Sequence, residues 1–431
     1  MRSSEAEHNR KLRIIVNDLG TGGTETHLSR VLPLLAKDHG FSIKLFLLSD
    51  RLDLAAPFRA AGIAIWYPRL PNWIKRLYGR KVTRALQTFL AFCRLLADFC
   101  IDRKRITHFF LARSYLVGMT AALLTRLPAD KYLSRRSLND YQHTVLGARW
   151  FEKVFHQKVH KILVNSDKIT EQLVKEEGVP PDHIHKIYNG LQPILECYRD
   201  RDAYRQQLQE KYQIGPEAWI FITVANLIPY KGHEYLLKAL ASLQKHELGG
   251  KSWYLLCVGT DAGSGYAATL RQQANDLGIS NNIRWLGKQA DVFALYAGAD
   301  IGFLCPYRNE GFSNALLEGM AIGLPFIVTD VGGNAEAVVH EGTGFVVPPK
   351  DPVAIAQAIK QLCQHPKLCV QFGAAGRKRV EEQFSLDECV AGYVDVYQSG
   401  YAVIAAKDLD PPLKPGDDKQ STARLNHEYN I

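Results

Sequence analysis

Asn309-Glu310-Gly311-Phe312-Ser313-Asn314-Ala315-Leu316-Leu317-Glu318-Gly319-Met320-Ala321 sets two glutamates eight positions apart around a turn. The apolar run before it, Ile301 to Leu304, reads as a buried strand. Gly311 and Ser313 make the turn, and Asn314 to Ile322 reads as a helix stopped by Gly323 and Pro325. Glu310 therefore belongs to the strand-to-helix turn, while Glu318 lies about one to two turns inside the helix. Between them the helix start offers unpaired N–H groups, a ready anion site. One acid on each side of a phosphate-sized cradle suits a diphosphate flanked by two polyols, as in a sugar nucleotide.

Working outward, short β-branched and aromatic runs alternate with helical patterns throughout. Leu12–Asn17, Ile43–Leu48, Ile63–Tyr67, Thr107–Leu111, Lys131–Ser134 and Ile162–Asn165 read as strands in the first half. Trp219–Val224, Tyr254–Val258, Ile283–Leu286, Ile301–Leu304, Phe326–Val328 and Phe345–Val347 do so in the second. Such alternation predicts an α/β protein with parallel sheets covered by helices. The 431 residues exceed the usual single-domain size of about 250–300, so two doubly wound, Rossmann-like domains are expected. The turn signal Asn189-Gly190 puts the boundary there, giving domains over 1–190 and 191–384. A helix from Glu388 to about Gln398 follows, and the polar stretch 407–431 is expected to be a disordered tail.

Composition narrows the class. With 46% apolar and 23% charged residues this is an ordinary soluble globular chain. The first apolar run, Leu12 to Val16, is too short and early for a secretory signal. The uncharged stretch Ser114 to Thr125 falls short of the roughly twenty residues of a membrane span. Leu86 to Cys100 carries Arg94 and Asp98, which argues for a core or amphipathic helix. Eight cysteines and 14 histidines show no metal-ligand spacing, so free thiols in a reducing cytoplasm and no bound metal are expected. Basic charge is concentrated in 51–150, where 18 Lys and Arg face five acidic residues.

Two further turns bear on chemistry. The first strand runs into Asp18-Leu19-Gly20-Thr21-Gly22-Gly23-Thr24-Glu25, a glycine-rich entry to a helix that lets backbone approach a phosphate or sugar. A dinucleotide fingerprint would want a third glycine where Glu25 stands, although Asp50 does follow the second strand. That residue keeps an NAD(P) oxidoreductase among the alternatives. In the second half Asn226-Leu227-Ile228-Pro229-Tyr230-Lys231-Gly232-His233 ends a strand and starts a helix near His233, aiming Lys231 at the same cleft as Glu310. Nothing resembles a serine or cysteine nucleophile with its base.

Glu-x7-Glu at 310–318, Gly-Gly-x-Glu at 22–25 and Lys-Gly-His at 231–233 together resemble the retaining glycosyltransferases of family 4, which have the GT-B fold. The likeness covers roughly residues 12–400. It implies two domains facing a cleft, acceptor on the first and donor on the second, with a helix over 385–406 crossing back onto the first. It implies Glu310 and Lys231 as catalytic residues. Donor contacts would be Gly22, Gly23, Asn226, Lys231, Glu310, Gly311, Phe312, Ser313, Asn314 and Glu318, with Glu318 on the nucleotide ribose. It further implies that the leaving diphosphate takes the acceptor proton on the same sugar face, with no metal or other cofactor. Asn226 stands where relatives usually carry an arginine, which leaves Lys231 and the helix start near Ser313 to carry more of the phosphate.

On the acceptor side, Arg135 and Arg136 follow a first-domain strand and should border the cleft, which favours an anionic acceptor. Pro71 to Arg84 reads as a helix start with Arg76, Arg80 and Arg84 in one stripe and Trp73, Ile74 and Leu77 beside it. Trp73, Lys75, Arg76, Arg80, Lys81 and Arg84 are the candidates for contact with an anionic membrane surface, a solvated helix face being the other reading. Nucleic acid is disfavoured, since no recognised module accompanies the charge. The expectation is transfer of sugar from a UDP- or GDP-sugar to a cell-surface glycan or lipid-linked acceptor, as in lipopolysaccharide or exopolysaccharide synthesis. It would take place in the cytoplasm, with a peripheral seat on the inner membrane face. A GT-B sugar-nucleotide epimerase is the nearer alternative.

Overall fold

The computed structural model describes residues 10–138, 147–194, 196–261 and 263–409. The first lobe is a seven-stranded sheet: β1 (Lys11–Val16), β2 (Ser42–Leu47), β3 (Ala64–Trp66), β4 (Ile106–Phe110), β5 (Lys131–Arg135), β6 (Lys161–Val164) and β7 (Ile184–Lys186). Its spatial order is β3-β2-β1-β4-β5-β6-β7. The second lobe has six: β8 (Trp219–Val224), β9 (Trp253–Val258), β10 (Ile283–Gly287), β11 (Ile301–Leu304), β12 (Phe326–Thr329) and β13 (Gly344–Val347). These run in the order β10-β9-β8-β11-β12-β13, and the pairings in both sheets are parallel. The order reverses between β1 and β4 and again between β8 and β11, and ligands of doubly wound sheets bind at such switch points.

The strands are near-continuous apolar runs because both faces of each sheet are covered. Alternate residues feed different cores: Leu12, Ile14 and Val16 join one cluster of the first lobe, while Ile15 joins the other. Arg13 breaks this run and is fully buried. Its guanidinium pairs with Asp98 at 2.6 Å, donates to Thr107 at 2.8 Å and lies 4.7 Å from the Phe99 ring. Asp98, whose charge marks Leu86–Cys100 as no membrane span, is thus the counter-ion of a core arginine. Among the described residues no helix is long and apolar enough to cross a membrane.

Two crossings join the lobes and pair with each other. The Leu191 N–H donates to the Phe384 carbonyl at 2.9 Å, and the Leu386 N–H donates to the Leu191 carbonyl at 2.9 Å. The last helix, Leu386–Leu409, then lies on the helix Gly23–Lys37, and its Val390, Tyr393 and Tyr397 enter the first lobe's core. Tyr397 meets His108 at 2.6 Å and Tyr393 meets His27 at 3.1 Å. The helix runs three residues past the end placed at 406 by sequence, and the rest of the expected tail lies outside the described residues.

The predicted arginine stripe is interrupted. Asn72–Leu77 and Arg80–Ile101 are separate helices, because Tyr78 is extended (φ −107°, ψ 133°) and Gly79 opens the second at ψ 164°. Arg80 and Arg84 share a face of the longer helix, and Arg76 sits on the short one.

Candidate active site in the interlobe cleft

We label five helices: α1 (Gly23–Lys37), α2 (Asn72–Leu77), α3 (Arg80–Ile101), α4 (His233–Ala241) and α5 (Asn314–Ala321). A cavity of about 670 Å³ opens between the lobes and is lined by Gly22 and Gly23 from one side and Asn226, Lys231, the 309–315 turn and Glu318 from the other. The donor-side residues singled out by sequence are thus brought together.

Each is held there by local geometry. Glu310 follows β11 and Asn309, which takes a left-handed φ of 58°. Gly332 packs on the Glu310 carbonyl at φ 58°, where a Cβ would overlap that oxygen. The Lys231 ammonium lies 2.5 Å from Glu310 Oε2, both side chains mostly buried. Lys231 ends a single turn, Pro229–Lys231, and Gly232 (φ 72°) starts α4 against the Cys305 carbonyl. Burial opposes the lysine's charge, but Glu310 outweighs it and holds the pKa above the ordinary lysine value.

Ser313 caps α5, accepting from the Leu316 N–H at 3.4 Å, and the turn residues Gly311 to Asn314 line the cavity. Gly311 touches the other lobe: a Cβ there would overlap the Arg136 carbonyl oxygen. Asn314 Nδ2 donates to the Gly23 carbonyl at 2.9 Å, again across the cleft. Asn189 donates to Asn314 Oδ1 at 2.8 Å and to the Phe312 carbonyl at 2.7 Å. Sequence signalled Asn189 only as a turn residue. The Phe312 ring packs between Tyr188 and Phe384, 4.9 and 5.1 Å away, at the crossing between the lobes. It therefore offers a ligand only backbone. Asn226 is exposed at the rim.

The two arginines part company. Arg136 faces the cavity and bonds Asn189 and the Tyr393 hydroxyl. Arg135, the next residue back on a strand end, points to the opposite sheet face. There it is buried between Glu152 and Glu177, at 3.0 and 3.1 Å. It is not a cleft residue. Glu152, His156 and Glu177 have ligand atoms close enough together for a metal ion, yet Arg135 already supplies that cluster with a cation. Asp50, which kept the dinucleotide alternative open, is paired with Lys75.

Sequence reading missed Arg30. It lies on α1 four residues after Thr26, both line the cavity, and its guanidinium reaches Glu318 Oε1 at 2.5 Å. The helical i, i+4 spacing from the glycine-rich loop was the available signal. On the outer surface, Trp73 and Phe89 are each 63% exposed, and Leu77, Tyr78 and Val82 are exposed beside Arg76, Arg80, Lys81 and Arg84. Lys75 is tied to Asp50 instead.

Next to Lys231, His233 is buried with no hydrogen-bond partner for either ring nitrogen among the described residues. Burial, with Lys231 adding to it, lowers its pKa from 6.5 to about 4. The folded state therefore holds a neutral imidazole. Its contribution to stability is complete above pH 6.5 and is lost as pH falls toward 4, amounting to about 3 kcal/mol. His27 and His108, buried near Arg136, act in the same direction. Thermal unfolding of His233→Leu should lose less stability than the parent between pH 6.5 and about 5. Identical pH slopes would contradict the buried neutral state.

Residues 204–379 match the glycosyl transferases group 1 and residues 21–193 match glycosyltransferase family 4, so the two together take in most of the chain. The GDP-mannose-dependent alpha-(1-6)-phosphatidylinositol monomannoside mannosyltransferase of Mycobacterium tuberculosis is 32% identical over 207 residues, 46% of this chain and 52% of that protein. The N-acetyl-alpha-D-glucosaminyl L-malate synthase of Bacillus anthracis is 32% identical over 228 residues, 53% of this chain and 56% of that protein. The chain thus spans about half the length of these relatives. Among solved structures, Anabaena HepE in complex with UDP-glucose superposes with a TM-score of 0.76 at 17% identity, covering 91% of this chain and 100% of that one. That likeness is one of fold, GT-B. The chain belongs to glycosyltransferase family 4.

Proposed function

We propose that this protein transfers a sugar from a nucleotide-sugar donor to a glycan or lipid-linked acceptor, with retention at the anomeric carbon and without a metal. One observation carries the reading: Glu310 and Glu318 flank the N-terminus of α5 inside a single cavity that also holds Lys231. The relatives' names add support, since the mycobacterial one is GDP-mannose-dependent and acts on a phosphatidylinositol mannoside.

In this reading the diphosphate sits on the amides of Gly311 to Asn314 and against Lys231. Glu310 accepts hydrogen bonds from the donor-sugar hydroxyls, and Glu318 from the ribose. As the bond from the anomeric carbon to the diphosphate oxygen breaks, negative charge grows on that oxygen. Lys231 and the α5 dipole are preorganised to meet it in a water-poor cleft. The acceptor oxygen bonds to the anomeric carbon on the same face, and its proton passes to the departing phosphate oxygen. The Lys231 pKa lies above the ordinary lysine value, so the ammonium stays charged at working pH. Arg136 is the cleft arginine that would meet an anionic acceptor.

Glu310→Gln and Lys231→Ala should each cut transfer from UDP- or GDP-sugars by about 10²–10³-fold with the protein still folded, Lys231→Ala also lowering the melting temperature because it leaves Glu310 without its counter-ion. Parent-like turnover in either variant would contradict the assignment.

The exposed apolar and basic residues of α2 and α3 support a peripheral seat on an anionic bilayer at the inner face of the cytoplasmic membrane. Lys75 anchors α2 to Asp50, just past β2, and so sets this patch at the cleft end of the first sheet. Co-sedimentation with phosphatidylglycerol vesicles is expected, weakening with salt and lost in Arg80→Glu/Arg84→Glu. Equal binding to phosphatidylcholine vesicles would refute the electrostatic seat.

A further inference from the structure

We infer that Arg30 is a positioning residue for the nucleotide ribose, supplied across the cleft by the first lobe to an acid of the second. The inference rests on the reading of Glu318 as the ribose-binding acid and extends it.

Arg30 sits on α1, about two turns from the glycine-rich loop, and its side chain is 20% exposed. It meets Glu318 Oε1 at 2.5 Å, and Glu318 itself is 13% exposed. A carboxylate has about four acceptor positions, so one guanidinium N–H leaves most of them for a vicinal diol. A pairing of this kind fixes the rotamer of an otherwise mobile glutamate before the ligand arrives. A second contact keeps the two helices in place: Asn314, four residues before Glu318, donates to the Gly23 carbonyl at the start of α1. α1 is therefore tied to α5 both at the cap and at the acid.

The consequence is mechanical as well as electrostatic. Glu318 belongs to the second lobe, but the geometry that presents it to a diol belongs to both. Recognition of ribose is then strongest when the lobes stand as they do here, and the lobe that receives the acceptor helps to hold the donor.

The test compares UDP and GDP, each with its 2′-deoxy counterpart, by calorimetric titration of the full chain. For whichever base binds, the parent should prefer the ribonucleotide by about tenfold. Arg30→Gln should reduce that preference to about twofold or less, and Arg30→Lys should keep most of it. Glu318→Gln should abolish it. The double variant should lose no more than Glu318→Gln alone, because the two side chains act as one unit. A purely structural role for Arg30 would weaken both nucleotides alike and leave the preference intact. Unchanged preference in Arg30→Gln, or tighter binding of both nucleotides, would overturn the inference while leaving Glu318 in its role. A parent that binds the deoxynucleotide as tightly as the ribonucleotide, or a Glu318→Gln variant that keeps the parent's preference, would remove the ribose role itself. Should Arg30→Gln fail to fold, Arg30→Met read by the same titration decides the matter.

Discussion

The turn from Asn309 to Asn314 is the constraint on which the rest of the structure depends, because the same atoms close the lobes and line the cavity. Gly311 abuts the Arg136 carbonyl of the first lobe, and Asn314 donates to the Gly23 carbonyl. Asn189, at the crossing between lobes, holds both Phe312 and Asn314. Glycine at 311 is a matter of clearance, since any side chain there would push against backbone. The cavity and the lobe interface are therefore formed by the same residues.

Charge within that cavity is balanced in pairs. Glu310 is met by Lys231 from its own lobe and Glu318 by Arg30 from the other. A lone carboxylate in so enclosed a place would carry a desolvation cost of several kcal/mol. Pairing orients both acids before any ligand arrives. It also places Lys231 beside the position where, in the proposed reading, the diphosphate would bring negative charge.

Much of this was legible in the chain. Strands such as Trp219–Val224 and Ile301–Leu304 coincide with their apolar runs, because a doubly covered strand must be apolar on both faces. The helix start at Asn314 was announced by Ser313, and the turn at Lys231 by Pro229 and Gly232. What escaped was long-range. Arg30 looks like an ordinary helix-surface arginine until Glu318, 288 residues later, is set beside it. Arg135 and Arg136 look alike in sequence, and only the strand pleat separates a buried ion cluster from the cleft. Phe312 sits within the binding motif yet turns its ring into the crossing between the lobes, a choice made by Tyr188 and Phe384 from distant parts of the chain. The edge strand β7 spans only Ile184–Lys186, too short for alternation to register.

The most direct measurement is a crystal structure of the protein with an intact UDP- or GDP-sugar analogue. The account predicts the diphosphate on the amides at the start of α5 beside Lys231, the ribose hydroxyls on Glu318 and the sugar hydroxyls on Glu310. A nucleotide seated elsewhere, with the two glutamates still engaged only by Lys231 and Arg30, would contradict it.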